Sequence, residues 1–215
     1  MKKVITVEKA VEMINDGTTL MIGGFATIGK PETIINAMCQ KGVKGLTVIA
    51  NDSGRPEEDI GKLIVNHQIS RILATHVGTN PETGRQVMNK ELELELVPQG
   101  TMAERIRAGG SGLGGVLTPT GVGTLVAEGK QIIKVDEREF LLEKPIRAEI
   151  AIIKAHKADE KGNLIFRRAA RNFNTVMATA ADIVIAEVDE MVPVGTIDPD
   201  EVMVPGNFID YIVKE

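Results

Sequence analysis

The segment Asp16-Gly17-Thr18-Thr19-Leu20-Met21-Ile22-Gly23-Gly24-Phe25-Ala26-Thr27-Ile28-Gly29-Lys30-Pro31 constrains this chain more than any other, because it reads in order as a turn, a buried strand, a glycine loop and a helix start. That is the layout of a ligand-binding crossover in an α/β protein. Ahead of it, Val7, Ala10, Val11 and Ile14 share one helical face, which places Gly17 as the C-cap glycine of a first helix. Leu20 to Ile22 form the short apolar strand. Gly23, Gly24 and Gly29 let the backbone bend and approach a ligand with no Cβ in the way, and Pro31 has the φ suited to a first helical position. A helix amino terminus beside such a loop offers unpaired N–H groups to an anion or a developing oxyanion.

Gly24 to Lys30 also fits the spacing G-x-x-x-x-G-K of a phosphate-binding P-loop. The next residue argues against it: a P-loop holds magnesium with Ser or Thr there, and Pro31 has neither a hydroxyl nor an N–H. The plainer alternative is that the glycines only shape a tight strand-to-helix turn.

Beyond Pro31, apolar strands alternate with helical patterns, which predicts an α/β fold with an open, largely parallel sheet flanked by helices. Strands are expected at Leu46 to Ala50, ending in Asn51-Asp52-Ser53-Gly54, at Ile69 to Ala74, and at Leu92 to Leu96, whose alternation exposes one face. Thr101-Met102-Ala103-Glu104 reads as a capping box for a helix that stops at Gly109-Gly110. Gln131 to Val135 and Glu139 to Leu142 read as a hairpin. Ile150 to Ile153 is a buried strand, Asn174 caps a helix through Ala181, and Ile183 to Val188 returns as a strand. With 215 residues and no linker, residues 1–215 are expected to form one domain with a full core.

Charge narrows the function. A net charge of -5 without a basic run argues against a nucleic-acid or anionic-membrane partner. No apolar stretch nears the roughly 20 residues of a membrane helix, and Thr6, Glu8 and Lys9 break the start before a signal-peptide core can form, so a cytoplasmic protein is expected. His67, His76 and His156 are too dispersed for a local metal pattern, and no metal is expected. Ser53, Ser70 and Ser111 are the only serines, none in a nucleophile elbow. Cys39 follows Ile35 by four residues on a helix face and reads as core packing. His76, at a strand end, is either a ligand contact or a structural histidine. Glu91, Glu93 and Glu95 read as the solvated face of a strand.

The segment from Asp16 to Pro31 meets every specified position of the amino-terminal signature of family I coenzyme A transferases, and the chain resembles that family beyond it. A second match runs from Val97-Pro98-Gln99-Gly100-Thr101 through Gly109-Gly110 to Thr118-Pro119-Thr120-Gly121-Val122-Gly123-Thr124; a third covers Gly162-Asn163 and Ala170-Arg171-Asn172-Phe173-Asn174. The chain is similar to the A, or alpha, subunit of the acetate, butyrate–acetoacetate or succinyl-type 3-oxoacid transferases.

The resemblance implies a ping-pong exchange of coenzyme A between short-chain acids, passing through an acyl-glutamyl anhydride and a glutamyl-CoA thioester. The family's nucleophilic glutamate lies in a Ser-Glu-Asn-Gly motif on the B half, a tetrapeptide this sequence lacks. The implied partner is therefore a B subunit, in an A2B2 assembly, with acyl-CoA as substrate and no tightly bound cofactor. On this chain the resemblance assigns Gly23, Gly24, Phe25, Ala26, Thr27, Ile28 and Gly29 to coenzyme contact and oxyanion binding. Gln99 is the side chain expected to orient the partner's glutamate. Asn51, Gly100, Gly109 and Gly110 are pocket candidates, and Arg105, Arg107 and Arg171 are candidates for the coenzyme phosphates or solvated helix charges. Two rival readings stand beside it: a sugar-phosphate isomerase or deaminase, and a non-catalytic acyl-CoA binding module.

Overall fold

A computed structural model describes residues 3–214. In chain order the main elements are β1 (Lys3–Ile5), α1 (Val7–Glu12), β2 (Thr19–Ile22), α2 (Glu32–Lys41), β3 (Leu46–Ala50), α3 (Asp59–Val65), β4 (Ile69–Ala74), α4 (Pro81–Met88), β5 (Glu93–Leu96) and α5 (Gln99–Gly110). They are followed by β6 (Val116–Thr118), β7 (Ile132–Val135), β8 (Arg138–Glu143), β9 (Ala148–Asp159), β10 (Leu164–Ile165), α6 (Asn172–Met177), β11 (Ala181–Val192) and β12 (Tyr211–Lys214).

The principal sheet runs β1-β12-β11-β9-β2-β3-β4-β5, every neighbouring pair parallel, with β10 antiparallel on β9. The open, largely parallel α/β sheet expected from the sequence is the fold observed. Side chains alternate across it with period two. Leu20 and Ile22 of β2 enter one apolar layer with Ile34, Ile35 and Met38 of α2 and Leu63 of α3, while Met21 enters the other with Met102 and Ile106 of α5 and Met177 of α6. Helices thus cover both faces, as a parallel sheet requires. The chain leaves β2 toward β3 on one side and later adds β9 on the other, so the strand order switches at β2. The glycine loop follows β2 and lies at that switch, where open α/β sheets bind ligands.

A second, antiparallel sheet is ordered β6-β8-β7. Its β7–β8 turn holds Asp136 at φ +51°, so the expected hairpin is present.

Several local expectations need correction. Helix α1 ends at Glu12, and Gly17 is not its cap: it sits at φ +79° in a separate turn, donating to the Lys44 carbonyl. Pro31 is the N-cap of α2 rather than its first residue. Helix α5 starts at Gln99, before the supposed capping box, because Pro98 is extended and its carbonyl accepts the Met102 N–H at 2.8 Å. Thr101 is consequently inside the helix and buried. Asn174 lies within α6, whose last residue is Met177. Glu95 is not solvated: it bonds Arg71 at 3.0 Å and Arg105 at 2.8 Å, cations that outweigh burial and hold its carboxyl below the usual range. Cys39 is half-buried against the α2 layer, and burial raises its thiol pKa.

Two glycines of α5 give a contrasting test. A Cβ on Gly109 would lie 2.0 Å from the Ile146 carbonyl oxygen, whereas one on Gly100 would meet nothing within 4 Å. Gly109→Ala is therefore expected to destabilise the chain by about 1–3 kcal/mol through overpacking. Gly100→Ala should be neutral or stabilising by up to about 1 kcal/mol, from helix propensity. Chemical unfolding of both variants checks this, and equal effects would contradict the packing described.

Candidate active site

The glycine loop is fixed from every side. The Gly23 N–H donates to the Ile152 carbonyl at 2.9 Å, and Phe25 and Ile28 bond each other in both directions across a tight turn whose tip is Ala26-Thr27. Ala26 has a φ of +48°, in the left-handed region, and donates its N–H to Asp52 Oδ2 at 2.8 Å. On the far side, Asn172 Nδ2 donates to the Ile28 carbonyl at 3.0 Å and Asn174 Nδ2 to the Gly29 carbonyl at 2.9 Å. Asn174, fully buried, also accepts the Lys154 N–H through Oδ1. A Cβ at Gly23 would fall 1.8 Å from that oxygen, which is why glycine is needed there.

These bonds use the N–H groups of Gly23, Phe25, Ala26 and Ile28. Those of Gly24, Thr27 and Gly29 have no acceptor among the described residues. Of the three, only Thr27 lines the adjoining cleft. Gly29 is packed against Asn174 and Ala170, and Gly24 lies over the Lys30 side chain.

The cleft, about 360 Å³, opens at the carboxyl ends of β3 and β4. Phe25, Ala26 and Thr27 form one wall, Asn51 and Asp52 the floor, and His76 and Gln99 the opposite side. Three separate segments of sequence thus meet in one hollow. Gln99 and Phe25 also border a neighbouring hollow of about 200 Å³ that includes Arg107 and Asn172. Asn51 is buried, with Nδ2 donating to Asp52 and Oδ1 accepting from Thr75. Gly100 faces a different surface depression, with Pro98 and Thr118. Gly109 and Gly110 line neither hollow; at the other end of α5 they press against Ile146 and Thr179. Arg105 is committed internally, to Glu95 and the Lys144 carbonyl. Arg171 lies in a short turn of helix beside α6 and lines neither hollow.

Beneath the loop lies a buried charged group that sequence reasoning missed. Asp52 accepts from Ala26 and Asn51 through Oδ2 and from Gly54 through Oδ1. The Lys30 ammonium, on a side chain only 1% exposed, is 3.6 Å from Oδ2. Lys30 points into the protein, away from where a P-loop lysine would meet phosphate. Asp59, at φ +37° and fully buried, completes the group. Burial pushes its carboxyl up to about 6; the Asp52 and Glu32 charges add to this, and Lys30 and the Ile60 N–H oppose it. Both carboxylates of the cleft are therefore spoken for or enclosed, and neither is presented as an exposed nucleophile.

Residues 4–215 match the sequence family described as coenzyme A transferase. The chain belongs to the coenzyme A transferase family. It is 49% identical over 211 residues to the alpha subunit of the acetate CoA-transferase of Escherichia coli K12, covering 98% of this chain and 96% of that protein. It is 47% identical to the alpha subunit of the acetoacetyl-CoA:acetate/butyrate CoA transferase of Clostridium acetobutylicum, covering 99% and 98%. A third relative, the first of the two subunits of a succinyl-CoA:3-ketoacid coenzyme A transferase from Helicobacter pylori, is 46% identical, covering 100% and 93%. The fold is shared with an acyl-CoA transferase from E. coli O157:H7, TM-score 0.91 at 24% identity, of which all of this chain spans 47%. Glutaconate coenzyme A-transferase from Acidaminococcus fermentans has the same fold, TM-score 0.88 at 20% identity, over 99% of this chain and 75% of that one. The isomerase or deaminase and binding-module readings find no support in these likenesses.

In this transferase the amino terminus of α2 is not a free anion site, contrary to what its place after the glycine loop suggests. The fully buried Glu187 carboxylate of β11 accepts the Ile34 N–H at 2.9 Å, so an internal anion already occupies it. Burial pushes the Glu187 carboxyl up, while the α2 N–H groups and Lys154 counter this. No sequence signal near α2 reveals this, since Glu187 is more than 150 residues away. Among the described residues no helix is long and apolar enough to cross a membrane, and no cluster of His, Cys, Asp or Glu is arranged to hold a metal.

Because the folded-state pKa of Asp59 is raised, its stability contribution is fully present below the ordinary value of 3.8 and is lost as pH rises through about 6. Asp59→Asn removes that loss. It is expected to stabilise the chain by about 1–3 kcal/mol at neutral pH, an advantage that shrinks as pH falls from about 7.5 to about 4.5. Urea unfolding across that range tests it; a pH-independent difference would place the strain elsewhere.

Proposed function

We propose that this chain is the alpha subunit of a short-chain acyl-CoA:carboxylate coenzyme A transferase, one that exchanges the coenzyme among acids of the acetate, acetoacetate and butyrate class. One observation carries the reading: the family's glycine loop and Gln99 face each other across a single cleft at the strand-order switch, and no exposed carboxylate nucleophile lines it. The nucleophilic glutamate is supplied by a B subunit, with two copies of each chain in the assembly. Residues 1–215 act as one domain of a cytoplasmic enzyme that needs no tightly bound cofactor.

The loop Gly23 to Gly29 contacts the coenzyme, and its uncommitted N–H groups stabilise the oxygen that becomes negative when the thioester and anhydride carbonyls turn tetrahedral. Such a donor is worth about 2.7–4 kcal/mol in a transition state when it is held in place beforehand. Thr27, the residue with an uncommitted N–H that lines the cleft, is the foremost candidate. Gln99 sits across from it and orients the incoming glutamate. Asn51 shapes the floor of the acid pocket, and Gly100 supports the position of Gln99 at the start of α5. Gly109 and Gly110 have a packing role in this reading. Arg107, beside Phe25 and Gln99, is the remaining arginine placed to meet a coenzyme phosphate.

The purified chain by itself should exchange no coenzyme A, and activity should appear on mixing with its B subunit. Borohydride reduction after incubation with acyl-CoA should mark a glutamate of the partner and none of the carboxylates here, as read by peptide mass spectrometry. Turnover by the single chain, or a reduced residue within it, would overturn the division of roles.

A further inference from the structure

Among the described residues, the Ala26-Thr27 tip has one polar support on its cleft side, and that support is a charge. Asp52 stands at the end of β3, 5% exposed, and all of its contacts run to backbone or to buried groups. Through Oδ2 it takes the Ala26 N–H and through Oδ1 the Gly54 N–H, tying the loop after β2 to the loop after β3. A neutral amide cannot do both, since it would turn a donor toward one of the two N–H groups. Lys30 explains why an ionised acid is tolerated in so enclosed a place. Its ammonium has no hydrogen-bond acceptor among the described residues, so its nearest compensation is the Asp52 carboxylate at 3.6 Å. Lys30 also fills the space under Gly24: a Cβ there would lie 2.5 Å from the lysine Cδ. The pair therefore supports the loop from below and from the side.

Resting on the transferase reading above, we propose that Asp52 is a positioning residue of the reaction: balanced by the buried Lys30, it holds Ala26 in its left-handed conformation and so fixes Thr27 against the cleft before substrate arrives. Ala26 carries a Cβ, and a left-handed backbone is unfavourable for it unless something external holds it there. Asp52 supplies the hold, and the Phe25–Ile28 bridge leaves Thr27 no independent freedom. Other ionisable groups around this carboxylate are Asp59 at the start of α3, Arg55 on the neighbouring turn and His76 at the end of β4, while Lys30 is the cation in ion-pair contact with it. Since Asp52 acts through the loop, its loss should weaken transition-state stabilisation more than ground-state binding.

The experiment uses the assembled two-subunit enzyme and three variants, Asp52→Asn, Lys30→Met and the double variant. For Asp52→Asn, kcat should fall at least about 30-fold, with KM for acyl-CoA changed by less than about threefold. Hydrogen exchange at the Ala26 amide should accelerate at least about tenfold relative to wild type, while the strands β2 and β9 keep their protection. Lys30→Met should move kcat and Ala26 exchange in the same direction, and the double variant should match Asp52→Asn in kcat within about threefold, because the two residues act as one unit. Normal kcat in Asp52→Asn, a kcat loss with Ala26 protection unchanged, or a KM effect equal to the kcat effect overturns the proposal. If Asp52→Asn does not fold, Lys30→Met decides alone: unchanged kcat or unchanged Ala26 protection overturns it. Should the wild-type pair exchange no coenzyme, the transferase reading fails, and slow Ala26 exchange in Asp52→Asn would independently sink the positioning role.

Discussion

The loop Gly23 to Gly29 would be among the floppiest segments of this chain were it not held by hydrogen bonds from outside itself, and the site depends on those bonds. Three of its seven residues are glycine, which lose the most conformational freedom on ordering. Against that cost stand acceptors and donors from β9, α6 and the end of β3: the Ile152 carbonyl, Asn172, Asn174 and Asp52. Each bond contributes about 1 kcal/mol net, more where a carboxylate accepts. The consequence is less stability than placement. Donors aimed at a developing negative oxygen help only if they need not reorganise at the moment of reaction. A loop pinned on both flanks and at its tip meets that condition without any ligand bound.

The same bonds also decide which backbone groups remain for chemistry. A glycine loop running into a helix suggests that the helix dipole receives the anion, as it does in phosphate-binding crossovers. Here a buried carboxylate from β11 fills that position, and the helix end serves to bind the two sheet halves together. Lys30 follows the same logic. At the spacing of a phosphate-binding lysine it instead turns inward to balance Asp52. Both electrostatic features that make this segment look like a nucleotide site are spent within the fold, which leaves neutral N–H groups at the tip.

Much of this architecture was legible in the sequence, because strand alternation and helix periodicity are local signals and the sheet is nearly all parallel. The crossover at Leu20 to Pro31 could be placed from the residues alone, and so could the strands around Ile49, Leu73, Ile152 and Ile185. What escaped was set by long-range pairing. Asn174 looked like a helix cap because Asn often is one, yet its amide is drawn to Gly29 and its oxygen to Lys154. Glu95 looked solvated from its alternation, but Arg71 and Arg105 arrive from β4 and α5. Asp52 was visible only as one polar residue at a strand end. Its role depends on the loop 26 residues earlier folding back over it, and no periodicity reports such a return.

The fate of the acidic side chains bears on why such a site would be shared between two polypeptides. A glutamate that attacks a thioester must be ionised, exposed to the substrate and free of tight hydrogen bonds that lower its nucleophilicity. The cleft carboxylates here have the opposite properties, since Asp52 accepts three hydrogen bonds and Asp59 is enclosed with a raised pKa. Converting either into a nucleophile would release the loop that stabilises the oxyanion or expose a strained helix start. One set of side chains cannot both hold the electrostatic frame rigid and move through covalent intermediates. Bringing the reacting carboxylate in on another chain removes that conflict: the frame stays folded while the nucleophile changes partners above it.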